Sequence, residues 1–133
     1  MKLVFADTGF YIAFVNPRDL LHPRSQDFSR RFTGRLLTTE YVLIEVGNFL
    51  SRSRDREPFV GLTRSLRSDP NTIIVPGDHV LYEQGLNLYA QRMDKEWSLT
   101  DCISFVVMKQ YGITDALTGD HHFEQAGFRI LLT

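Results

Sequence analysis

Five short apolar runs punctuate the chain. They are Lys2-Leu3-Val4-Phe5-Ala6, Arg35-Leu36-Leu37-Thr38, Thr72-Ile73-Ile74-Val75-Pro76, the stretch 113–118 and the stretch 128–132. Each is bounded by turn formers such as Asp7-Thr8-Gly9, Asp69-Pro70-Asn71 or Gly119-Asp120. Such runs read as buried strands of a parallel sheet. The segments between them carry helical spacing. Phe10 to Val15 is a short apolar helix broken by Asn16-Pro17, and Pro23 to Phe32 is polar with Phe28 and Phe32 on one side. Thr39 caps a helix from about Glu40 to Arg54, with Val42, Val46, Phe49 and Leu50 as its core face. Asp55-Arg56-Glu57-Pro58 reads as a loop, followed by a helix to about Arg67. Asp78 opens the next helix, in which Val80, Leu81, Leu86, Leu88 and Met93 are apolar, and Gly127 stops a last one from His121 to Ala126.

The stretch from Trp97 to Gly112 is the most apolar helix, with Ile103, Phe105, Val106, Val107 and Met108 covering most of its sides. A helix so apolar is buried, yet its first turn holds the carboxylate of Asp101. Ser98-Leu99-Thr100-Asp101 has the form of a capping box, in which Ser98 and Asp101 satisfy backbone N–H groups. Five strands alternating with helices predict an α/β fold, a three-layer α/β/α sandwich on a parallel five-stranded sheet. Its 133 residues suit a single domain spanning 1–133.

Composition adds exclusions. The 43% apolar and 23% charged residues are ordinary for a water-soluble protein, and no apolar run is long enough to cross a bilayer. The first residues resemble a signal peptide only as far as Asp7, where the apolar run stops. The lone Cys102 rules out an internal disulfide and a multi-cysteine metal site, and it points to a cytoplasmic protein. Net charge is −1, but its distribution is uneven: residues 1–70 hold 11 cationic against 8 acidic side chains, and residues 71–133 hold 4 against 8. The first half is rich in arginine, the side chain suited to bidentate phosphate contact, although solvated helix faces account for such arginines as well.

In an open parallel sheet, chemistry collects beyond the C-terminal ends of the strands. Asp7 ends the first strand, Asp120 follows the fourth, Asp101 starts the helix leading into the fourth, and Glu45 lies two turns into the helix after the second. Each has a structural alternative as a turn former, a cap or a solvated helix residue. Together in one cleft they would repel, and would take up protons or bind a hard cation such as Mg²⁺ or Mn²⁺. Such an ion suits phosphodiester hydrolysis. His121 and His122 are adjacent, so a helix points them about 100° apart, and surface or cap positions are expected for both. No glycine-rich phosphate loop is present.

Four segments carry a resemblance. They are Val4-Phe5-Ala6-Asp7-Thr8, then Thr38-Thr39-Glu40-Tyr41-Val42-Leu43-Ile44-Glu45-Val46, Ser98-Leu99-Thr100-Asp101-Cys102-Ile103-Ser104-Phe105, and Ala116-Leu117-Thr118-Gly119-Asp120-His121-His122-Phe123 with its continuation to Phe128. The chain resembles the PIN-domain nucleases, especially the VapC type. The resemblance implies metal-dependent cleavage of RNA, with Asp7, Asp101 and Asp120 as ligands of Mg²⁺ or Mn²⁺. Glu45 becomes a further ligand or the group that orients water, and Thr8 and Asn48 become supporting residues. Glu40 is the rival to Glu45, and Asp115 to Asp120. A toxin–antitoxin role, an antitoxin partner and a homodimer also follow from it, with the Phe59–Leu66 helix as interface material. Arg52, Arg54 and Arg56 are expected to track the RNA backbone. The alternatives are a non-catalytic RNA- or protein-binding module and a receiver-like signalling domain. The latter requires paired acids after the first strand and a late lysine, and neither is evident.

Overall fold

A computed structural model describes residues 2–133. Its five strands are β1 (Leu3–Ala6), β2 (Arg35–Thr39), β3 (Thr72–Val75), β4 (Asp115–Leu117) and β5 (Arg129–Ile130). All neighbours pair in parallel, in the order β3-β2-β1-β4-β5. Helices α1 (Thr8–Val15) and α2 (His22–Arg31) connect β1 to β2, and α3 (Glu40–Phe49) with α4 (Ser53–Ser68) connects β2 to β3. Helices α5 (His79–Gln91) and α6 (Leu99–Gln110) return the chain to β4, and α7 (His121–Gln125) leads to β5. From β1 the sheet grows outward in one direction through β2 and β3, and from β4 in the other through β5. Right-handed crossovers then put the helices of the two halves on opposite faces, which gives three layers.

The sheet interior explains the apolar runs. Val4, Phe5, Ala6, Leu37, Ala116 and Leu117 are fully buried. Around them α6 contributes Ile103, Phe105, Val107 and Met108, and α3 contributes Val42 and Val46. Phe105 stands at the centre of an aromatic chain, 5.0 Å from Trp97 and 4.9 Å from Phe123, both edge-on. That contact fixes the start of α6 against α7. Gly85 lets α5 approach α6, because a Cβ there would lie 2.2 Å from Ile103 Cγ1. Gly112 ends α6 with φ +66°, a left-handed conformation that glycine adopts at low cost.

The structure departs from the sequence reading in four places. The Glu40–Arg54 helix stops at Phe49, and α4 begins at Ser53 with Pro58 inside it, so Asp55–Pro58 is helical. Continuing α3 would have presented Ser53 and Arg54 where its core face needs apolar groups, whereas a new helix buries Leu62 and Leu66. Phe49 is therefore exposed and Leu50 alone carries the end of that face inward. On α5, Leu81 is buried and Leu88 half-buried, but Val80 and Leu86 face outward, as does Met93 beyond its end. Most of the Phe59–Leu66 interface material is core: Leu62 and Leu66 are buried and Phe59 is partly buried against the core, leaving Val60 exposed.

Candidate active site

Register assembles the first part of the site. Ala6 pairs with Leu117, so the next residues, Asp7 and Thr118, face each other at the C-terminal ends of β1 and β4. The Thr118 hydroxyl donates to Asp7 Oδ2 at 2.8 Å, and the Asp7 N–H donates to the Leu117 carbonyl at 3.3 Å. These are the two strands between which the direction of the sheet reverses. The crevice outside such a switch point is where open α/β sheets bind ligands.

Asp7 is only 6% exposed and sits at the N-cap of α1 without a side-chain capping hydrogen bond. Burial pushes its carboxyl from the usual range up to about 7. The Thr8 amide and the Thr118 hydroxyl oppose the shift, while the charges of Asp101 and Glu45 add to it. From the next position Thr8 donates its hydroxyl to Glu45 Oε1, which ties α3 to the start of α1. Glu40 is turned away from this cluster. It accepts from the Gly77 N–H at 2.7 Å and secures the β3–α5 connection.

Asp101 comes from the capping box, which is present in full. The Asp101 N–H donates to Ser98 Oγ at 3.0 Å, and the Ser98 N–H donates to Asp101 Oδ2 at 3.1 Å. Capping thus orients the carboxylate without occupying Oδ1. Burial raises its pKa; His122 and the Ser98 N–H oppose the shift, and Asp120 adds to it. Asp120 caps α7, its Oδ1 accepting from the His122 N–H at 2.9 Å, and its own N–H donates to Thr118. A surface or cap position is the expectation for His122. Instead its Nδ1–H donates to Asp101 Oδ2 at 3.1 Å and lies 3.5 Å from Asp120 Oδ1. Its neighbour His121 is exposed and pairs with Glu124. Adjacent positions on a helix put the two rings in different directions without deciding which of them points inward.

Other candidates lie elsewhere. Asp115 begins β4, at the opposite end of the strand, where Lys2 and Arg129 neutralise it. Those hydrogen bonds, Lys2 first, hold its carboxyl below the usual range. Asn48 is exposed and lines a groove between α3 and α4 of about 650 Å³, together with Arg56. Arg52 and Arg54 border a separate hollow with Arg18 and Phe49. The position of Asn48 follows from its angle on α3, which faces α4 once α4 packs there. The arginines open a new helix and do not extend the Glu45 helix.

The donor set fits a divalent cation. Asp101, Asp120 and His122 each offer a ligand atom within 4.8 Å of the others. Among the described residues no lysine or arginine forms an ion pair with Asp7, Glu45, Asp101 or Asp120. An acidic cluster with no lysine or arginine partner carries repulsion that a bound ion would relieve.

The PIN domain family model matches residues 4–129. The chain belongs to the PIN-domain family. Over 129 residues it is 29% identical to the 23S rRNA-specific endonuclease VapC20 of Mycobacterium tuberculosis, covering 95% of both chains. The crystal structure of that VapC20, described as a sarcin–ricin loop cleaving toxin, superposes with a TM-score of 0.84 and 26% identity over 94% of this PIN domain and 95% of that chain. FitAcB of Neisseria gonorrhoeae (TM-score 0.67, 18% identity, 96% of each chain) shares the fold. So does DNA-bound VapBC of Salmonella typhimurium (0.68, 15%, 98% of each). No helix among the described residues is long and apolar enough to cross a membrane.

Proposed function

We propose that this PIN domain is a divalent-metal-dependent endoribonuclease, and the toxin half of a toxin–antitoxin pair. The observation that carries the reading is the acidic group at the β1/β4 switch point, where Asp101 and Asp120 cluster with His122, the charges of Asp101 and Glu45 act on Asp7, and no lysine or arginine among the described residues pairs with any of the four acids. The similarity to VapC20 supports RNA as the substrate and a ribosomal RNA hairpin as the first one to try. The presence of VapBC complexes among the structural neighbours supports an antitoxin partner. A homodimer and a cytoplasmic location complete the proposal.

Asp7, Asp101 and Asp120 are the residues that would hold Mg²⁺ or Mn²⁺. When bound, the ion supplies positive charge to offset that developing on the scissile phosphate, and it activates water at neutral pH. The protein's own groups do the rest. The Thr118 hydroxyl fixes Asp7 through its Oδ2, and the capping box fixes the orientation of Asp101. Glu45, held by Thr8, orients the attacking water, and the cleavage leaves a 5′-phosphate and a 3′-hydroxyl. Arg52, Arg54 and Arg56, with Arg18 beside the first two, give the RNA backbone a track outside the acidic cleft. Asn48, lining the same groove as Arg56, acts on that track.

Expression in a bacterial host, followed by mapping of RNA 5′ ends, tests the reading. The wild-type chain is expected to arrest growth and to accumulate discrete 5′-phosphate ends, and Asp101→Asn is expected to do neither. Identical end profiles from the two proteins would overturn it.

A further inference from the structure

Of all the side chains around the acidic cleft, His122 is the one that the hydrolytic reading leaves without a task. It lies on the first turn of α7, two residues beyond Asp120, and its ring is about one-third exposed. Phe123 beside it is fully buried against Phe5 and Phe105, which anchors the turn and aims the ring inward. Nδ1 stands 3.1 Å from Asp101 Oδ2 and 3.5 Å from Asp120 Oδ1.

These separations are informative. Around a six-coordinate ion with bonds of about 2.1 Å, neighbouring ligand atoms stand about 3.0 Å apart. A nitrogen at 3.1 and 3.5 Å from two carboxylate oxygens has the spacing of a neighbouring vertex in a shell shared with them. Without an ion the Nδ1–H fills the place between the two acids, because an ionised carboxylate can only accept. With Nδ1 unprotonated, the same atom presents a lone pair to a cation.

We infer that His122 is a ligand of the metal ion, making the site a mixed nitrogen and oxygen centre selective for Mn²⁺, or a similar first-row ion, over Mg²⁺. Imidazole suits such ions, whereas Mg²⁺ favours oxygen ligands and water. The inference rests on the metal-dependent reading above, and it adds to that reading both a ligand and a choice of ion. His121, one residue earlier, serves as an internal control because it faces solvent and pairs with Glu124.

Calorimetric titration with Mn²⁺ and with Mg²⁺ should be run on the wild type, His122→Gln, His121→Gln and Asp101→Asn, after checking that each unfolds cooperatively. Pulsed electron paramagnetic resonance of the Mn²⁺-loaded protein adds a direct readout, since an imidazole nitrogen bound to Mn²⁺ modulates the echo. The wild type and His121→Gln should bind Mn²⁺ at least about tenfold tighter than Mg²⁺ and show the nitrogen modulation. His122→Gln should lose the modulation and most of the preference, with Mg²⁺ affinity changed by less than about threefold. Tight Mn²⁺ binding by the wild type with no nitrogen modulation overturns the role of His122 and leaves the acidic metal site standing. Absence of binding in the wild type overturns both.

Discussion

Asp7 is held in the folded chain at a cost that its removal should reveal. Its carboxyl is pushed from 3.8 to about 7, chiefly by burial. An acid with a raised folded pKa binds its proton more tightly in the native state than in the unfolded one. Stability from this group is therefore fully present below about pH 4 and is lost as pH rises to about 7. The shift spans roughly 3 units, and at about 1.4 kcal/mol per unit the wild type loses up to about 4 kcal/mol over that range. Asp7→Asn keeps the shape and the hydrogen bond from Thr118 but carries no charge. Its amide still needs a partner, so the expected net gain above pH 7 is about 1–3 kcal/mol. Urea unfolding of both proteins in EDTA at pH 4.5 and at pH 8 measures this. The variant should match the wild type within about 1 kcal/mol at the lower pH and exceed it at the higher. It should also be inactive, because the charge that destabilises the fold is the one that attracts the cation. An equal difference at both pH values, or a variant less stable at pH 8, would refute the burial argument. Added Mn²⁺ should stabilise the wild type and leave the variant unchanged.

Three further outcomes test the supports of the site. Gly85→Ala drives a Cβ into Ile103 and should cost about 1–3 kcal/mol in urea unfolding; no loss would mean that α5 shifts freely on α6. Ser98→Ala removes the cap of α6 and should cost about 1 kcal/mol, with a weaker Mn²⁺ affinity because Asp101 loses its orientation; unchanged affinity would separate the cap from the metal site. Asp115→Asn removes the acid shared by Lys2 and Arg129 and should cost about 1–2 kcal/mol near neutral pH. Because the folded pKa of Asp115 is lowered, that loss should shrink as pH falls through the carboxylate range, while RNA cleavage stays at the wild-type rate.

Much of this arrangement can be read from the residue order because it rests on local rules. The five strand runs and their turn formers mark β1 to β5, and the capping box at Ser98 appears with both of its hydrogen bonds. Glu45, not Glu40, reaches the Asp7 side, since Glu40 stands at the first position of α3 and bonds outward to Gly77. Asp115 and Asp120 separate because five residues of strand and turn put them at opposite ends of β4.

Other features depend on packing between distant segments. The break after Phe49 is set by α4 docking through Leu62 and Leu66, whose competition with a longer α3 has no local signature. The placement of Asn48 and of Arg52, Arg54 and Arg56 changes with that break. His122 is the clearest case. Adjacent histidines on a helix must diverge, but which of them faces the acids is decided by Phe123 entering the core between Phe5 and Phe105. The pattern His-His-Phe, with the aromatic as the buried position, was the available signal.

The most direct measurement is cleavage of a ribosomal RNA hairpin by the purified chain in Mn²⁺, in Mg²⁺ and in EDTA, alongside Asp101→Asn. Cuts bearing 5′-phosphates that need a divalent ion and vanish in the variant are expected. Equal cleavage in EDTA, or by a folded Asp101→Asn protein, would contradict a metal-dependent nuclease centred on the β1/β4 cleft.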